Sequence, residues 1–176
     1  MQHMEKLYIA ATDEHEVIDL DFIVSELVLQ NSRLQKVCLV GRLNKFPNWV
    51  ARLQNLVMLS LSHSKLADDP LGLLKDLPEL LCLSILYCAY EGSCLHFPKG
   101  RFPKLEQIIF RRLCKLNSIS IENEALSSLK KFKLVSISQL TEVPSGVCSL
   151  PKLELFHAIN MSNEFEENFH SNQGQR

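Results

Sequence analysis

The sequence predicts an α/β solenoid of about seven coils. Two observations carry that reading. An apolar triplet recurs along the 176 residues at near-constant spacing. The last two members of each triplet lie two residues apart, which puts them on one face of a strand, because strand side chains alternate. Between triplets, apolar positions run through turn-forming residues and back to the next strand, as one coil of a stacked array requires.

The triplets are Met4/Leu7/Ile9, Leu34/Val37/Leu39, Leu56/Leu59/Leu61, Leu80/Leu83/Ile85, Leu105/Ile108/Phe110, Leu129/Phe132/Leu134 and Leu153/Phe156/Ala158. Their first members are 30, 22, 24, 25, 24 and 24 residues apart. All but the first spacing fall in the 20–29-residue period of leucine-rich repeats, and the first carries an insertion. The fold expected is a leucine-rich-repeat solenoid over residues 1–168. It has a parallel sheet on the concave face and short helices or irregular turns on the convex face. Residues 169–176 are expected to be a disordered tail. No polar cap precedes Leu7-Tyr8-Ile9, so either another segment or chain covers this end or, as the favoured reading, the sequence is part of a longer protein.

The coils follow in order. In the insertion, Phe22–Leu29 suggests a short convex helix, and His15 among acids reads as a solvated loop residue. In coil two, Gly41 marks the turn after the strand. Phe46-Pro47 is an extended step there, and Trp49, Val50 and Leu53 fill the core at helical spacing. In coil three, Asp69 then Pro70 is a helix start, with Leu71, Leu74 and Leu77 on one face and Pro78 as the stop. In coil four, Cys88 sits where such repeats carry a turn-closing Asn or Cys and reads as a small buried hydrophobe, with Tyr87 and Tyr90 beside it near the concave rim. Beyond coil seven, Phe165 and Phe169 are the only strong anchors of an otherwise polar end.

Charge is unevenly spread around a net of −1. Residues 1–30 hold seven acids against Lys6, residues 31–153 seventeen bases against nine acids, and the remainder four acids against Arg176. The basic middle suits an acidic protein surface. Nucleic acid does not fit, since no recognisable module interleaves aromatic and basic residues. The six cysteines form no C-x-x-C pair, so zinc and thioredoxin-like readings have no support; with no signal-peptide pattern before the first repeat, they read as reduced thiols of a cytosolic protein. No apolar run is long enough to suggest a membrane span.

Catalytic motifs are missing: the sequence has no phosphate-binding G-x-x-x-x-G-K-[ST], no G-x-G-x-x-G, no G-x-S-x-G and no H-E-x-x-H. Neither an enzyme nor a metal site is expected. Function is expected on the strand residues that alternate with the buried ones and on the rim beside them. The candidates are Tyr8, Lys36, Ser60, Ser84, Tyr87, Arg111, Arg112, Lys131, Lys133 and His157. Arg111, Arg112, Lys131 and Lys133 fall on adjacent strands, where uncompensated positive charge costs stability and points to an acidic partner.

Nearly the whole chain resembles the C-terminal repeats of the plant coiled-coil, nucleotide-binding, leucine-rich-repeat disease-resistance proteins. The marks are Gly41-Arg42-Leu43 followed by Phe46-Pro47-x-Trp49, Leu56-x-x-Leu59-x-Leu61-x-x-Ser64-x-Leu66, Leu77-Pro78-x-Leu80, and Met161-Ser162-Asn163. The resemblance implies a sensor region that recognises a pathogen effector or a guarded host protein. It also implies contact with the receptor's own nucleotide-binding module, which it holds in its ADP state. No motif for ADP or ATP lies in this chain, so no cofactor is expected here. The resemblance places the full-length receptor in the cytoplasm, with peripheral attachment at the plasma membrane as an option. A free-standing repeat scaffold or inhibitor is the alternative.

Overall fold

The computed structural model describes residues 4–11, 13, 15–21 and 33–173. Seven short strands stack side by side in one parallel sheet: β1 (Lys6–Ala10), β2 (Lys36–Val40), β3 (Met58–Ser62), β4 (Cys82–Leu86), β6 (Gln107–Arg111), β8 (Lys131–Val135) and β9 (Leu155–Ile159). β5 (Cys94–Phe97) and β7 (Ser118–Ile121) pair with each other elsewhere. Each strand of the large sheet carries the last two members of one triplet. Register is strict, with Leu7, Val37, Leu59, Leu83, Ile108, Phe132 and Phe156 forming one continuous row.

That row faces the core. From β2 to β8 its members are almost fully buried, as is the parallel row from Leu39 to Leu134. Leu105, Leu116, Leu126, Leu129 and Leu140, all fully buried, line the interior from the turns. The period-2 pattern thus aims every second side chain into a narrow aliphatic interior, and no coil could bury its row without its neighbours.

The convex side is more varied than expected. Coil two carries a 3₁₀ turn at Asn48–Arg52, entered through extended Pro47, and it buries Trp49 and Val50. Coil three carries α1 (Leu71–Leu74). The Asp69 carboxylate accepts the Leu71 N–H at 2.8 Å, as the Asp-Pro start predicts. The helix is a single turn that ends before Pro78, because the chain must turn back toward β4. Leu71, Leu74 and Leu77 nonetheless share the core. Coils four and five replace a helix by the parallel pair β5–β7, so helices and irregular turns do not exhaust this side. The expected helix at Phe22–Leu29 lies outside the described residues.

Three further expectations are corrected. Helix α2 (Asn163–Gln173) runs well into the stretch expected to be disordered. Ser162 Oγ accepts the Phe165 N–H at 3.2 Å, an N-cap, and Asn168 Nδ2 donates to the Thr141 carbonyl at 2.9 Å. Phe165 is buried, and Phe169 packs on Phe156, continuing an edge-to-face series from Phe110 through Phe132. Apolar anchoring is what orders this polar stretch. Next, Cys88 and Cys114 are joined in a disulfide between neighbouring coils, with Cα atoms 5.8 Å apart, so the thiols are not all free. Cys88 is half-buried rather than a buried hydrophobe. Finally, Tyr90 is a core residue whose hydroxyl donates to the Cys94 carbonyl at 2.8 Å.

The parallel hydrogen-bond ladder continues one residue past the strands. Ala11, Gly41, His63, Tyr87, Arg112 and Ser136 each donate their N–H to the last strand residue of the next coil, at 2.8–3.3 Å. From Gly41 onward, this position and its counterpart Asn160 have positive φ: +117° at Gly41, and +50° to +57° at the others. A side chain there costs about 1 kcal/mol or more of backbone strain. Gly41 cannot take one, because a Cβ would come 2.5 Å from that of Ala11.

Leu83→Ala is expected to destabilise by about 2–5 kcal/mol, since Leu83 is fully buried in the central strand. Chemical denaturation checks this, and a loss within error of zero would contradict the shared-core packing. Gly41→Ala is expected to cost about 1–3 kcal/mol through strain and the Ala11 clash. An unchanged denaturation midpoint would contradict it.

Candidate protein-binding surface

The solvent-facing strand positions form three rows across the sheet. The middle row runs Tyr8–Cys38–Ser60–Ser84–Ile109–Lys133–His157, so it joins five of the expected site residues. Tyr8 is 60% exposed at one end, Ser60 and Ser84 form a low polar floor, and His157 is exposed at the other end. The row at the strand starts joins Lys6 to Lys36 in register and carries Lys131 farther along. Two lysines in register repel, and both stay exposed.

The four expected cations lie on adjacent strands but divide between the two strand ends. Lys131 opens β8 and Lys133 sits in its middle, while Arg111 closes β6 and Arg112 follows it on the rim. Lys131 and Arg111 are four positions apart along the register, roughly 13 Å. The geometry therefore provides a diffuse basic concave face and a separate basic rim.

The rim is built by the left-handed residues. The Tyr87 ring stacks on His63, with centroids 5.2 Å apart and planes 6° from parallel. The Arg112 guanidinium lies 5.8 Å from the centroid of Tyr87. Arg111 Nη1 donates to the Tyr87 hydroxyl at 3.4 Å, and this bond and the arginine's charge hold the phenol below its ordinary pKa. Next along the rim, Asn160 Nδ2 donates to Ser136 Oγ at 2.9 Å. The His63–Tyr87–Arg112 stack walls a cleft of about 560 Å3 whose lining includes Gly41, Arg42 and Lys65.

His63, Arg42 and Lys65 were not among the expected site residues, although one regularity in the sequence points to the rim. Gly41, His63, Tyr87, Arg112, Ser136 and Asn160 each stand seven residues after the first member of their triplet. Among the described residues, no group of three or more His, Cys, Asp and Glu side chains is placed to hold a metal, and no helix is long and apolar enough to cross a membrane.

Burial and nearby acids push Tyr90 up to about 12, opposite to the shift at Tyr87. In a phenolate absorbance titration, Tyr87 is expected to ionise before Tyr90. Arg111→Gln should move the Tyr87 ionisation to higher pH, and an unmoved Tyr87 ionisation would show that Arg111 does not hold the phenol.

The chain matches the leucine-rich repeat region family over residues 1–171. It is 31% identical to Disease resistance protein RPM1 of Arabidopsis thaliana, over 92% of this chain and 17% of that protein. It is 23% identical to Disease resistance protein RPP8 of the same plant, over 95% of this chain and 18% of that protein. A third relative, Putative disease resistance protein At1g59780 of Arabidopsis thaliana, is 27% identical over 86% of this chain and 16% of its own length. The chain thus spans less than a fifth of the length of these relatives. With the stacked parallel strands, these matches place the chain in the leucine-rich repeat region family, as a repeat region of the plant disease-resistance type.

Proposed function

We propose that this repeat region binds proteins through its concave sheet and serves as the recognition part of an intracellular plant immune receptor. The observation that carries the reading is the solvent-facing row from Tyr8 to His157, which combines small, aromatic and basic side chains on a rigid surface. Register fixes the strand backbones, so little backbone ordering entropy is lost on binding. The partner is a pathogen effector or an effector-modified host protein, and the same face restrains the receptor's nucleotide-binding module. ADP or ATP belongs to that module, and the repeat region takes no cofactor and performs no catalysis. The receptor works in the cytoplasm, with peripheral attachment at the plasma membrane where its targets sit there. The resistance-protein relatives support the defence role, and the basic concave face supports an acidic partner surface.

The test is a pull-down with this chain as bait against the separately expressed nucleotide-binding module of a related receptor. Binding is expected to weaken with salt, because exposed charges are screened. Replacing Lys131 and Lys133 by Ser should leave circular dichroism unchanged and weaken binding about twofold to thirtyfold, from two solvent-facing charges worth about 0.2–1 kcal/mol each. Undiminished binding by the double variant would sink the concave-face reading.

A further inference from the structure

The rim stack is missing one rung. Side chains one coil apart lie about 4.8 Å from each other, close to the spacing of stacked planar groups. His63, Tyr87 and Arg112 fill three successive rungs, with Tyr87 between the other two. The next rung, before His63, is Gly41, which is held to glycine by its φ of +117° and by the contact a Cβ would make with Ala11. A cleft of about 560 Å3 opens there, lined by Gly41, Val40 and His63. Among the described residues no other aromatic ring is in contact with His63.

The charge around the vacancy is lopsided. Arg42, Lys65 and Arg112 line the cleft and are exposed, and Asp13 is the one acid among the lining residues. None of the three cations forms an ion pair among the described residues, although Lys104, Lys115 and Lys130 are each paired to an acid one coil away. The same rim position carries backbone strain at His63, Tyr87 and Arg112, and strain of this kind gathers at functional sites.

We infer that this cleft docks an acidic peptide segment carrying an aromatic side chain. The aromatic ring occupies the rung vacated at Gly41 and stacks on His63. Carboxylates flanking it in the peptide meet Arg42, Lys65 and Arg112. The inference rests on the protein-binding reading above but uses a surface separate from the middle row of the concave face.

The test uses the full chain and a labelled peptide, Glu-Glu-Tyr-Glu-Glu, in fluorescence anisotropy. The matched peptide Glu-Glu-Ala-Glu-Glu is expected to bind about threefold to tenfold more weakly, the range of one aromatic stack. His63→Ala should abolish that difference between the two peptides. The double variant Arg42→Gln/Lys65→Gln should weaken both peptides and reduce their salt dependence. A charge-matched double variant on the far side, Arg52→Gln/Lys99→Gln, should weaken them less than about twofold. The assignment is overturned if the folded chain binds neither peptide, if both bind equally, if the far-side variant matches the cleft variant, or if inorganic phosphate displaces the tyrosine peptide at equal concentration. Because Lys131 and Lys133 are untouched here, failure of the cleft leaves the pull-down result standing, and failure of the pull-down leaves the peptide result standing.

Discussion

Every feature of this molecule depends on the parallel hydrogen-bond ladder between coils and on how far it runs. A coil alone cannot bury its leucines, and the ladder brings its neighbour within reach at a fixed register. The ladder does not stop with the strands. It continues through the N–H of the following residue, and from Gly41 onward that residue lies in the left-handed region in coil after coil. The conformation is unfavourable for side chains other than glycine, yet His63, Tyr87, Arg112, Ser136 and Asn160 all adopt it. The cost is spread over an array whose coils support one another, and its product is a second row of side chains beside the concave face.

Electrostatics follows the same one-coil period. Lys104 pairs with Glu79, Lys115 with Glu91 and Lys130 with Glu106, at 2.6, 3.3 and 2.9 Å. All these side chains are substantially exposed, so each pair adds little to stability. Their larger effect is on where charge remains. Pairing neutralises part of the basic middle of the chain and leaves positive charge on the concave face and at the rim. A surplus that looks continuous along the sequence is therefore divided in space into two surfaces.

The two ends of the array meet different conditions. At β9 the sheet is covered by α2, where Phe165 and Phe169 extend the aromatic series from Phe110, Phe132 and Phe156. These rings mark the coils in which phenylalanine replaces the aliphatic residues used nearer the start, and they tie the terminal helix to the core. At β1, Leu7 and Ile9 are only partly buried, because the first coil has a neighbour on one side among the described residues. Burial in a solenoid is a property of the pair of neighbours, not of the residue.

The strands, their faces and their register were legible in the sequence, because period-2 alternation and a repeat of about 24 residues are both local patterns that survive as geometry. The last two members of all seven triplets lie on neighbouring strands of one sheet, and the outward-facing candidates from Tyr8 to His157 point where alternation requires. What alternation cannot supply is contact between coils. It could not show that Cys88 meets Cys114, that Tyr90 turns into the core while Tyr87 stays on the rim, or that β5 and β7 pair where short helices or irregular turns were expected. Nor could it separate Lys131 from Arg111, because residues on neighbouring strands can lie at opposite strand ends. The sequence by itself determined the repeat, the buried rows and the outward rows, all of which depend on spacing along the chain. Only the tertiary structure decided the rim, since stacking His63 on Tyr87 and leaving Gly41 open depend on distances across coils that share no sequence neighbourhood.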